Sequence, residues 1–137
     1  MTTKSSGFSL IELLVVVAIL GIISAIGVVS YSGYVSGAKR KSAENVMQQI
    51  SLGQTEYYSD MGIYYLNNSG TSCTPSATTS TQIETNLLGG SDNINDEMGY
   101  QLCIANHSSN YLINANEIGG GCEIEMTALG VITRRNC

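Results

Sequence analysis

The chain has 137 residues, a formal net charge of −5 and a 43% hydrophobic content, room for one modest domain. Its acidity excludes bulk nucleic-acid binding and leaves a local basic patch as the one route to it. The hydrophobic residues are unevenly spread, with a long apolar run near the start and a polar remainder, and the whole chain has one Phe, no Trp and one Pro.

The first element is that apolar run. Leu13 to Val29 carries no charge, and Phe8 to Val29 is long enough to cross a bilayer as a helix, which takes about 20 residues. A secretory signal peptide has a basic start, an apolar stretch of about 7–15 residues and a small-residue cleavage site. Lys4 supplies the basic start, but the stretch is too long and Glu12 at its front edge is out of place. A plain anchor fits the length and leaves Glu12 unexplained. A carboxylate at the centre of a membrane helix costs about 2.5–3.5 kcal/mol, less near an end, and marks a functional residue.

MTTKSSG followed by FSLIELLVVVAILGI resembles the prepilin class III leader of type IV pilins and their pseudopilin relatives. The resemblance implies cleavage between Gly7 and Phe8, N-methylation of Phe8, and an assembly role for Glu12. The amine freed on Phe8 would be buried in apolar surroundings, where Glu12 of a neighbouring subunit would neutralise it, since buried charges persist when paired. Many type IV pilins place a proline near the position of Val29. This chain has none, so any melting of the helix in a filament falls to Gly21 and Gly27, glycines that equally allow close helix packing.

Neither Pro nor charge interrupts the helical pattern from Phe8 to Lys39-Arg40-Lys41. Ala43, Val46, Met47, Ile50, Tyr57, Tyr58 and Met61 then recur mostly at spacings of three, four and seven, the apolar face of a continuing amphipathic helix. The pattern predicts one helix from Phe8 to about Asp60, ended by Gly62. The basic triplet reads as a solvated collar or as a partner for acidic heads in a filament.

Asn67 to Gln82 reads as a loop by its Ser, Thr, Asn and Gly content, and Ile83 to Leu88 as a short helix. Asn67-Asn68-Ser69 and Asn106-His107-Ser108 fit a glycan acceptor pattern, against which stands a bare solvated loop. From Tyr100 the period becomes two. Tyr100–Ala105, Tyr111–Asn116, Glu123–Leu129 and Val131–Arg135 read as strands separated by turns. The expected fold is α+β: a long N-terminal helix, membrane-spanning in its first half, packed on a small antiparallel sheet head, the pilin fold. The helix-end tyrosines and the run from Cys122 to Cys137 further resemble PilE-type minor pilins and competence pilins.

A head of roughly 100 residues has little core and usually needs staples. Cys73, Cys103, Cys122 and Cys137 allow three connectivities. Cys122–Cys137 would tie the last hairpin to the terminus and Cys73–Cys103 would clip the loop to the first strand; this pairing is favoured over a zinc site, whose ligand spacing is absent. His107 has neither nucleophile nor acidic orienter nearby in sequence and reads as a loop residue. Asp92 to Glu97 is acidic, but Ile94 stands where a calcium loop needs a ligand and no Gly holds its sixth place. No catalytic, metal or cofactor site is expected.

Together these readings predict a cleaved leader (1–7), a transmembrane and polymerisation helix (8–30) and a head outside the cytoplasm (31–137). The chain is expected in the bacterial inner membrane before assembly and in an extracellular pilus after it. Expected partners are other pilin subunits, the prepilin peptidase/N-methyltransferase, the inner-membrane assembly machinery and membrane lipid. A minor pilin is favoured over a major one. The rival is a DNA-uptake receptor contacting nucleic acid through Arg134 and Arg135, the basic pair near the terminus.

Overall fold

The computed structural model describes residues 6–137, so Lys4 and the first five leader residues lie outside the described part. Six elements follow in order: α1 (Leu10–Met61), α2 (Ala77–Leu87), β1 (Tyr100–His107), β2 (Asn110–Glu117), β3 (Glu123–Thr127) and β4 (Ile132–Arg135). The contacts fall into two units, Met1–Gly37 and Ala38–Cys137.

In the first unit, residues 6–34 are all exposed, including Leu13, Val17, Ile22 and Val29. Apolar side chains on every face leave this part of α1 without a wet side, and the helix is long and apolar enough to cross a membrane. It begins at Leu10, two residues later than the expected Phe8, because Ser9 caps it.

The second unit is a four-stranded antiparallel meander in the order β1-β2-β3-β4. Its register puts Leu102, Ala115 and Ile124 in one row and Ile104, Ile113, Met126 and Ile132 in the next, all toward the core. Ala43, Met47 and Ile50 of α1 and Ile83 of α2 complete that core with no exposed surface. Each fully buried aliphatic side chain contributes on the order of 1.5–3 kcal/mol. On the opposite sheet face, Cys103, Asn114, Glu125 and Thr133 form a polar row.

The apolar face expected for α1 holds through Ile50 and then changes. Gln54 is fully buried, whereas Tyr58 and Met61 are exposed. Gly62, at φ +73°, turns the chain back, and the Gln54 amide meets the returning backbone of Tyr65, donating to its carbonyl (2.7 Å) and accepting from its N–H (2.8 Å). A buried amide with both ends satisfied acts as a piece of backbone.

Helix α2 begins six residues earlier than Ile83. Ser76, after Pro75, caps it and forms a capping box with Thr79. The hydroxyls that suggested a loop are absorbed by the helix: Ser80, Thr81 and Thr85 donate to the carbonyls four residues back. The Asp92–Glu97 loop is anchored by buried Ile94, whose N–H donates to the Glu84 carboxylate at 2.6 Å.

Candidate functional site

Gly7, Phe8 and Ser9 precede the helix, and the Phe8 side chain is 87% exposed. Ser9-Leu10-Ile11-Glu12 forms a capping box: the Glu12 carboxylate accepts from the Ser9 N–H (2.7 Å) and hydroxyl (2.9 Å), while the Glu12 N–H donates to Ser9 Oγ (3.3 Å). The arrangement satisfies donors a helix N-terminus leaves open and places a carboxylate at its positive end. Glu12 therefore has a partner within its own chain before any other subunit arrives. The Ser-x-x-Glu spacing is the sequence signal for this contact, overshadowed by the apolar run that follows.

Phe8, Ile11, Val15 and Val16 line an open groove of about 360 Å³ beside Glu12. Its apolar walls suit burial of this segment against another apolar surface.

Arg134 and Arg135 do not form one patch. They alternate across β4, Arg134 toward the helix side and Arg135 toward the polar face, and each is held by a carboxylate. The Arg134 Nε donates to Glu44 at 2.5 Å, and Lys41 reaches the other oxygen of Glu44 at 3.1 Å. Arg135 pairs with Glu125. Glu44 is buried in α1; the Arg134 hydrogen bond, helped by Lys41, holds its carboxyl below the ordinary value despite the opposing effect of burial.

The basic triplet is more than a collar. Lys41 is committed to Glu44, the Lys39 stem lies over Gly99, and the Arg40 Nε is buried. Gly99 is buried at φ +77°, and a side chain there would meet Lys39.

The four cysteines form Cys73–Cys103 and Cys122–Cys137. The first bridge fastens the segment after Asn67 to β1; the second fastens the terminus to the start of β3. Asn67 holds the same segment: its Oδ1 accepts from the Ile104 N–H, and its Nδ2 donates to the Thr79 carbonyl and to Gln82. A glycan on that nitrogen would break these bonds. His107 ends β1 at an exposed turn. Among the described residues no group of three or more His, Cys, Asp or Glu could hold a metal ion.

Residues 2–28 match the family model described as the prokaryotic N-terminal methylation motif. The chain carries a type IV pilin-like prepilin leader. The match ends inside α1 and leaves the head outside it. No curated protein and no solved structure matches the chain. The long helix with a small antiparallel sheet is an α+β, pilin-like fold, and the leader with its apolar helix fits an inner-membrane-anchored pilin.

Proposed function

We propose that the chain is a type IV pilin subunit, of the minor kind, polymerised into a surface filament by packing of α1. In this reading residues 1–7 are a leader cut between Gly7 and Phe8, Phe8 is methylated, 8–30 span the membrane and then line the filament, and 31–137 form the exported head. The role is structural, and its partners are other pilins, the prepilin peptidase/N-methyltransferase, the inner-membrane assembly machinery and, before assembly, lipid. A major pilin is the nearest alternative.

One observation carries the reading. The methylation motif of residues 2–28 overlaps the start of a helix whose first half exposes apolar side chains on all sides, with a carboxylate in its first turn. A surface of that kind needs lipid or many apolar neighbours, and a subunit that sits in the membrane and then joins a filament of such helices meets both in succession. The DNA-uptake alternative draws little support from Arg134 and Arg135, because each is engaged by a carboxylate.

Mass spectrometry of sheared surface filaments tests the reading. The expected result is a polypeptide starting at N-methylated Phe8. Its absence from filaments, with full-length precursor alone in the membrane, would overturn the reading.

A further inference from the structure

Tyr58, Ile63, Tyr64, Asn106, Ser109 and Asn110 line an open groove of about 420 Å³ between the end of α1 and the β1–β2 turn. The groove has no charged side chain in its wall. Its floor is aromatic and braced. The Tyr58 and Tyr64 rings lie 4.6 Å apart at a tilt of 31°, Tyr64 meets Tyr111 edge-on at 5.0 Å, and the Tyr111 hydroxyl is hydrogen-bonded to Ser51 at 2.8 Å. Tyr58 stays 47% exposed, so the outer ring offers surface to an incoming group.

The amide side chains of this unit fall into two groups, those held by the fold and those left open to solvent. The amides of Gln54, Asn67 and Asn86 are committed to backbone partners. The side chains of Asn106, Asn110 and Ser109 and the hydroxyls of Tyr58 and Tyr64 make no hydrogen bond to another described residue. Two free amides thus stand beside a held aromatic face, with hydroxyls between them.

Each candidate ligand class meets a different obstacle here. A nucleic acid or an acidic sugar needs cations, which the wall lacks. An apolar segment would bury the free amides and hydroxyls unpaired, a costly outcome. A neutral sugar ring meets both demands: its C–H face packs on an aromatic ring, and its hydroxyls both donate to and accept from amides. We infer that this groove is a binding site for a neutral carbohydrate, with Tyr58 as the platform and Asn106 and Asn110 as the polar readers. The site lies wholly within the second unit and does not depend on the filament reading.

The test uses the full chain in phosphatidylcholine nanodiscs and saturation-transfer NMR with maltose, cellobiose, lactose and chitobiose, plus sialyllactose as the acidic counterpart. Transfer to at least one neutral disaccharide is expected, with sialyllactose binding no more tightly than lactose. Tyr58→Ala, and separately Asn110→Ala, should weaken binding on the order of tenfold, whereas Tyr58→Phe should retain most of it. Leu129→Ala, at an exposed turn position outside the groove, should leave binding unchanged. Absence of transfer to all four neutral sugars would overturn the assignment. So would transfer that survives both alanine variants, or a Tyr58-dependent self-association occupying the groove.

Discussion

Glu44 on α1 accepts a hydrogen bond from Arg134 on β4, ninety residues further along the chain. This buried carboxylate ties the last strand to the helix, with Lys41 on its second oxygen. Because the folded carboxyl titrates below the ordinary value of 4.5, its stabilising contribution is complete above that pH. The contribution is lost as pH falls through the lower, folded value. Glu44→Gln should therefore flatten the acid limb of the stability curve. Glu44→Ala should cost about 1–2 kcal/mol at neutral pH, since Arg134 can turn to solvent. Denaturation of the detergent-solubilised chain, followed by tyrosine fluorescence between pH 3 and 7, measures both.

A second prediction separates two roles of Glu12. Ser9→Ala removes the hydroxyl side of the capping box, costing about 0.5–2 kcal/mol of local helix stability, and leaves the carboxylate for a neighbour. Glu12→Ala removes both. Ser9→Ala should enter filaments nearly as well as wild type, while Glu12→Ala should be processed and inserted but excluded. The ratio of subunit in sheared filaments to subunit in the membrane is the measurement. Equal exclusion of both variants would assign Glu12 to capping alone.

Processing can be tested directly at the cut. Gly7→Val should leave unprocessed precursor in the membrane, because the peptidase loses the small residue before the bond. Mature protein starting at Phe8 in that variant, detected by intact-mass measurement, would contradict the proposed site.

The bridges make a fourth prediction. Non-reducing peptide mapping should recover Cys73 with Cys103 and Cys122 with Cys137. The latter closes 15 residues and contributes about 3 kcal/mol in the chain-entropy model. Cys122→Ser with Cys137→Ser should lower stability by about that amount and release the end of β4.

The leader and the fold class were legible because each rests on a pattern with one meaning. Gly7, Phe8 and Glu12 stand at fixed spacing before an uncharged run, and the period changes from helical to two at Tyr100. What escaped is polar. Gln54 and Glu44 belong by composition to a wet helix face, yet both are buried, because their partners Tyr65 and Arg134 arrive from distant segments. Helix α2 was hidden by its own Ser and Thr residues, whose hydroxyls can bond in a loop or back onto a helix with equal ease. Arg134 and Arg135 looked like one basic patch. Alternation along a strand sends adjacent side chains to opposite faces, and one intervening sheet divides them.

Among the described residues, strand β1 has a strand neighbour on one side only, and its other edge is closed by a loop. Asn67 donates its N–H to the Ile104 carbonyl at 3.0 Å, the Asn106 N–H reaches the Gly70 carbonyl at 3.0 Å, and Asn68 bridges Ala105 in parallel. Left bare, that edge would recruit a foreign strand, a hazard that grows when many copies crowd one membrane surface. The Cys73–Cys103 bridge begins three residues beyond Gly70 and locks the cover down. A molecule not yet oxidised is therefore more than a weakened head. It is a template with its guard unlatched, and closing the bridge protects neighbouring copies as much as the chain that carries it.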